Sequence, residues 1–125
     1  MENIINLLQK IDKIIDKDPR YKEEAYSFVL SGLNYAVSKL PEPRHVSAVE
    51  LLDGIKEYAI KQFGPMTKTV LEYWGVKTTQ DFGNIVFNMI GANLLGQSEK
   101  DSIDDFKNVF DFDEVFGANP EYSID

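Results

Sequence analysis

Few side chains in this chain could do chemistry. It has one histidine, no cysteine, and 21 acidic residues against 13 basic ones. The histidine, His45, follows Arg44 in the stretch Pro41-Glu42-Pro43-Arg44-His45-Val46, directly ahead of a helix-start signal. Near the positive end of a helix an imidazole is disfavoured as imidazolium and stays a neutral, hydrogen-bonding ring. Such a ring could serve as a general base, and Arg44 with free helix amides could hold an anion. The plainer alternative bonds His45 to a loop carbonyl and pairs Arg44 with a carboxylate of the acidic C-terminal segment. No Ser, Cys or second His supplies the partner that a nucleophilic triad requires, so no catalytic residue is assigned.

Other constellations fail on their spacing or context. Gly91-Ala92-Asn93-Leu94-Leu95-Gly96-Gln97-Ser98 has the glycine spacing of a phosphate loop, but Gln97 stands where the lysine belongs and a helix precedes it where a strand should. Tyr35-x-x-x-Lys39 and Tyr73-x-x-x-Lys77 match a dehydrogenase pair without the dinucleotide-binding glycines that go with it. The acids Asp101, Asp104, Asp105, Asp111, Asp113 and Glu114 lack the alternation, central glycine and distant glutamate of an EF-hand loop. With no thiolate and one imidazole, a nitrogen- or sulfur-rich metal site is excluded. No cofactor and no metal are expected.

These residues must be positioned by helices, because the apolar residues recur at a spacing of three and four. Ile4, Ile5, Leu7, Leu8, Ile11, Ile14 and Ile15 share one face of a first helix, which Asp18-Pro19 stops. A second runs from Arg20 to Lys39 through Tyr21, Ala25, Phe28, Val29, Leu33, Ala36 and Val37, with Ser31, Gly32 and Ala36 small enough for a close neighbour. Pro41 and Pro43 end it. Ser47 and Glu50 have the spacing of a capping box, so a third helix runs to about Phe63 and buries Val49, Leu52, Ile55, Ala59 and Phe63. Gly64-Pro65 separates it from a fourth, Pro65 to Trp74, burying Met66, Val70 and Leu71. Thr78 with Asp81 caps a fifth that carries Phe82, Ile85, Val86, Met89 and Ile90, and Gly91 and Asn93 mark its end.

Beyond Gly96 the character changes. Residues 1–98 hold 11 Lys/Arg against 12 Asp/Glu, while residues 99–125 hold 2 against 9. Almost all of the net charge of −8 therefore lies in the last quarter. That quarter also carries Phe106, Val109, Phe110, Phe112, Val115 and Phe116, more aromatic surface than a disordered tail affords. Ser102 with Asp105, and Asp111 with Glu114, could each begin a short helix, and Phe106, Val109 and Phe110 fit one turn of the first. The segment is expected to lie on the bundle by its phenylalanines, with its carboxylates in water and residues 119–125 frayed.

The blocks RHVSAVELLDGIKEYAI, QFGPM, VLEYWGV and TTQDFGNIVFN, in this order within residues 21–116, resemble a family of small, uncharacterised bacterial proteins. The resemblance implies a shared unit and carries no activity, substrate or cofactor. The resulting expectation is an all-α, single-domain orthogonal bundle of about five main helices over residues 1–118, closed by the acidic, aromatic segment. No apolar run approaches the roughly 18–20 residues of a membrane span, and MENIINLLQK lacks the basic flank of a signal peptide, so a cytoplasmic protein without membrane contact is expected. Its function reads as a non-catalytic protein-interaction or regulatory module, with Arg44, His45, Phe106, Phe110, Phe112 and Phe116 as candidate interaction residues and a basic surface as the favoured partner. The alternative is nucleic-acid binding by helices four and five as a helix-turn-helix-like unit. That unit's second helix begins Thr79-Gln80-Asp81-Phe82-Gly83-Asn84 without a Lys or Arg, and an acidic chain repels phosphate. A groove of Lys56, Lys61, Lys68 and Lys77 on one face would favour it. A third reading, a small enzyme or anion-binding protein using Arg44 and His45, would be favoured by a cleft that joins His45 to two or more acids.

Overall fold

The computed structural model describes residues 2–96 and 101–117. Its elements are α1 (Glu2–Lys17), α2 (Glu23–Ser38), α3 (Ala48–Phe63), α4 (Thr67–Tyr73) and α5 (Thr79–Gly91), followed by a 3-10 turn (Ile103–Phe106) and a single π-type turn (Asp113–Gly117). Among the described residues there is no strand, and the helices pack as a bundle. The frayed end proposed for 119–125, and Gln97 and Ser98 of the loop motif, lie outside the described residues.

The caps form where their residue types require them. Ser47 Oγ accepts from the Glu50 amide at 3.1 Å while the Glu50 carboxylate accepts from the Ser47 amide at 2.9 Å. Thr78 and Asp81 do the same for α5. Asn93 (φ 63°) closes that helix in the left-handed region, which Asn tolerates better than most residues. Helix α2 differs from expectation. It begins at Glu23 with no side-chain cap, because its N-cap position is Lys22, whose ammonium cannot accept a hydrogen bond.

The close α2–α3 approach comes from small residues on both helices. A Cβ on Gly54 would lie 2.6 Å from that of Ala36, and one on Gly32 would lie 2.8 Å from Ile55 Cγ1. Gly75 is needed for a different reason. With φ at 94° it leads the α4–α5 turn past the carbonyl of Arg20, which a Cβ would strike at 2.2 Å. The Lys22 amide donates to the Trp74 carbonyl at the same crossing.

Burial follows the helical period with four exceptions. Ile5 and Leu8 on α1, Val49 on α3 and Met66 before α4 are exposed, not core. In α3, Leu51 takes the inward position, since the helix must face both α2 and the C-terminal segment. Before α4, Gly64–Met66 forms a 3-10 turn, which rotates Met66 outward and Thr67 inward. The Thr67 hydroxyl is satisfied there by the Gly64 and Ala59 carbonyls.

Helix α5 lies at the centre and carries a polar seam through the core. Asp81, Asn84 and Asn88 recur at a helical spacing on one face. The Tyr21 hydroxyl donates to Asp81 Oδ1 at 2.5 Å and accepts from Asn84 Nδ2 at 2.9 Å. Asn88 Nδ2 donates to the Tyr26 hydroxyl at 3.0 Å and to Asp18 Oδ2 at 2.9 Å. Burial, reinforced by Asp81, pushes the Tyr21 hydroxyl well above the usual phenol range. Asp18 is held well below the carboxylate range, chiefly by Arg20, with Asn88 adding to it. Every buried side-chain nitrogen and oxygen among the described residues is satisfied.

The cap of α3 is the most direct check on this frame. Ser47→Ala removes the acceptor for the Glu50 amide and should lower stability by about 0.5–2 kcal/mol, read from the denaturant midpoint. An unchanged midpoint would show that α3 does not depend on this cap.

Candidate functional site

Arg44 and His45 sit where the sequence places them, just before α3, but their partners are the reverse of the plain alternative. Arg44 forms a bidentate pair with Glu50 (3.0 and 2.7 Å) and also donates to the His45 carbonyl. It is His45 that reaches the acidic segment, with Nε2 2.9 Å from Asp101 Oδ2. The Arg44 guanidinium and the Ser47 amide hold the Glu50 carboxyl down to about 2. Arg44 is itself pushed up by Glu50. An anion at the start of α3 would have to displace Glu50 from both Arg44 and the Ser47 amide. The arrangement is a built cap with its anion supplied in cis.

The acidic segment docks by its phenylalanines, as their number suggests. Phe106, Phe112 and Phe116 are buried and Phe110 is half-buried. Phe110, Phe112 and Phe116 form a mutual cluster with centroids 5.1–5.9 Å apart, and Phe112 also meets Phe82 of α5 at 5.9 Å. The Lys56 ammonium lies 5.9 Å from the Phe110 ring centre. Asp104, Asp105, Asp111, Asp113 and Glu114 are exposed on the outer side. The local structure is more broken than one helical turn per motif. Ser102 and Asp105 cap a 3-10 turn that stops at Phe106. The backbone then extends through Lys107 and turns left-handed at Asn108 (φ 53°), so Val109 and Phe110 do not continue it. Asp111 Oδ1 accepts from the amides of Asp113 and Glu114 and starts the second turn.

Two residues of α5 that sequence reasoning passed over as docking positions hold the segment. Thr79, buried at the first turn, donates its hydroxyl to the Phe106 carbonyl at 2.6 Å and accepts from the Val109 amide at 3.2 Å. It bridges the two ends of the left-handed excursion. Gly83, one turn on, lies under Phe106, and a Cβ there would fall 2.7 Å from the Phe106 Cβ. A glycine in the interior of a capped helix, where it costs about 1 kcal/mol against alanine, was the available signal. Lys68 of α4 adds an ion pair to Asp113 at 2.6 Å, and Asp113 pushes its ammonium up.

Docking creates two concavities. One, on the outer side, is a polar groove between the α4–α5 turn and residues 108–114, edged by Glu72, Lys77, Asp111, Asp113 and Glu114. The other is a half-open cavity of about 240 Å³ lined by α2, α3, α5 and the segment. His45, Asp101 and Asp105 all border it, so the cleft joining His45 to two acids is present. Ser47 and Ser102 border it as well, but their hydroxyls serve as helix caps and neither is hydrogen-bonded to His45. Among the described residues no group of three or more His, Asp or Glu converges in a way that could hold a metal ion. None of the helices there is long and apolar enough to cross a membrane.

Helices α4 and α5 do adjoin through a short turn, but the face a reading helix would offer is occupied. Thr79, Phe82 and Gly83 are buried, and Asp81 and Asn84 bond Tyr21. Comparison with known proteins finds no matching family model, no matching curated protein and no matching solved structure. The site must therefore be read from its own geometry.

Gly83→Ala tests how the segment is held. On an exposed helix this change is favourable by about 1 kcal/mol. Here the clash falls on Phe106 near its backbone, and overpacking of this kind costs about 1–3 kcal/mol. The expected result is a lower denaturant midpoint with displaced Phe106 and Val109 resonances and unchanged α1 resonances. A stabilised protein with an unmoved segment would contradict the contact.

Proposed function

We propose that this protein is a small, non-catalytic interaction module, and that its docked acidic, aromatic segment is the surface that meets a basic protein partner. The observation that carries this reading is the sorting of the segment's side chains. Phe106, Phe112 and Phe116 face the bundle while Asp104, Asp105, Asp111, Asp113 and Glu114 face water. A concentrated negative surface steers and orients a basic partner more than it adds raw affinity. Phe110 borders the outer groove but already has the Lys56 ammonium over its ring, so a partner's Lys or Arg would meet the carboxylates around it. The family resembled by the sequence blocks is part of the same proposal and adds no activity to it.

Nucleic-acid binding has less support. Lys68 is paired with Asp113 and Glu72, and Lys56 with Asp53 and the Phe110 ring, so the basic groove that reading needs is interrupted by acids. The enzyme reading gains a cleft beside His45 but no nucleophile bonded to it.

A triple variant, Asp104→Asn, Asp113→Asn and Glu114→Gln, tests the interaction reading. Asp104 and Asp113 serve surface ion pairs with Lys107 and Lys68, each worth about 0–1 kcal/mol, and Glu114 is exposed, so the fold should persist. In affinity capture at ~0.15 M salt, a defined basic protein should be enriched by the parent chain, lost in the variant and weakened at high salt. Equal capture by both forms would overturn the proposal. Selection of a defined sequence from a random nucleic-acid library would replace it with the alternative.

A further inference from the structure

A further groove, of about 450 Å³, runs between α1 and the last turn of α5, and among the described residues none of the acidic segment lines it. Its floor is apolar, made by Ile14, Phe87 and Ala92, and its edge carries Lys10, Lys13 and Lys17. These lysines are exposed and recur at a spacing of three and four, so they form one row along α1. Among the described residues no ion pair, hydrogen bond or aromatic ring holds any of their ammonium groups, unlike those of Lys39, Lys56, Lys68 and Lys107. The helix end beside them does not need them either. The last carbonyls of α5 accept from the amides of Ala92, Asn93 and Leu94.

Among the described lining residues the one carboxylate is Asp18, which already accepts from Arg20 and Asn88. Asn88 spends both Nδ2 hydrogens, on Asp18 and on the Tyr26 hydroxyl. What it has left for a ligand is its carbonyl oxygen, an acceptor for a hydroxyl. Three like charges in a row repel one another and gain from a shared anion. Lysine binds as a point charge with three rotatable donors, which suits the many oxygens of phosphate, and the groove has no arginine fork for a planar carboxylate. The row is about 10 Å long, so a diphosphate engages more of it than a single phosphate does. We propose that this groove binds a small diphosphate ester, and a nucleoside diphosphate is the form that uses all of its features. The phosphates lie along Lys10, Lys13 and Lys17, a sugar hydroxyl meets Asn88, and the ring rests on Phe87 and Ala92.

This site goes beyond the partner reading and does not depend on it. The acidic balance of the chain does not forbid it, because residues 1–98 hold 11 Lys/Arg against 12 Asp/Glu and most of the net charge lies beyond them. A ligand held there joins α1 to α5 and stabilises that pairing by mass action.

The test uses the full chain and metal-free adenosine diphosphate, pyrophosphate, inorganic phosphate and adenosine as probes. Each is titrated at low salt while amide resonances of Ile14, Phe87, Gly91 and Ala92 are followed. Adenosine diphosphate should saturate with a Kd of about 1 mM or below, and phosphate and adenosine should bind about ten-fold more weakly or worse. Pyrophosphate should fall between them, and added salt should weaken every anion. Lys13→Gln/Lys17→Gln should weaken adenosine diphosphate about ten-fold with an unchanged denaturant midpoint, since both side chains are exposed and hold no ion pair. No saturable shift from adenosine diphosphate up to about 10 mM would overturn the site, as would an unchanged affinity in the variant. Pyrophosphate binding as tightly as adenosine diphosphate would overturn the place of the ring on Phe87. Tighter binding of a single-stranded DNA of about ten nucleotides would replace the small ligand with a nucleic-acid backbone. These comparisons among probes use the parent chain and stand even if the double variant does not fold.

Discussion

The approach of Phe106 to Gly83 sets the geometry of the acidic segment and of the concavities beside it. A methyl group at position 83 would lie 2.7 Å from the Phe106 Cβ, so the segment reaches α5 only because that helix gives up a side chain. Thr79 then fixes the register with two hydrogen bonds one turn earlier. From that anchor the chain turns at Asn108 and lays Phe110, Phe112 and Phe116 across α4 and α5. Both concavities follow from this placement, since the cavity needs Phe106 as a wall and the outer groove needs residues 108–114 as a bank.

The opposite side of α5 is held by a different kind of force. The seam of Asp81, Asn84 and Asn88 against Tyr21, Tyr26 and Asp18 is directional, and it specifies the rotation and height of α5 relative to the α1–α2 loop. Apolar burial alone specifies such a register weakly, because hydrophobic contact has no preferred direction. One helix is thus pinned by hydrogen bonds on one side and covered by phenylalanines on the other. The segment's own directional bonds, two to Thr79 and ion pairs to His45 and Lys68, involve none of the seam's side chains, so its release would leave the pinned side in place. On this account residues 101–117 are the part of the fold suited to exchange.

The local features legible in the sequence were those governed by neighbours in the chain. Ser47 with Glu50, Thr78 with Asp81 and Ser102 with Asp105 all form capping boxes, because a cap involves only four consecutive residues. The apolar face of α5 emerged equally well, since Phe82, Ile85, Val86 and Met89 meet the bundle on the side their period demands. What the sequence hid were relations across the fold. Val49 fits the apolar period as well as Leu51 does, and only the presence of the segment decides between them. Tyr26 and Asn88 lie 62 residues apart, and neither alone announces a buried polar bond. The exchange of partners between Arg44 and His45 is of the same kind. Glu50 was recognised as a cap, but not as close enough to take Arg44 as well.

Native-state hydrogen exchange on the isolated protein tests the central claim, that the segment is docked yet the least stable part of the fold. The amides of Lys107, Val109 and Val115 all have acceptors, so they should be protected. The account predicts that they exchange by a shared partial opening that leaves α3 and α5 intact and lies clearly below global unfolding in free energy. Protection equal to that of α3 and α5 would make the segment ordinary core. Exchange at unprotected rates would make it a free tail, and either result would contradict the account.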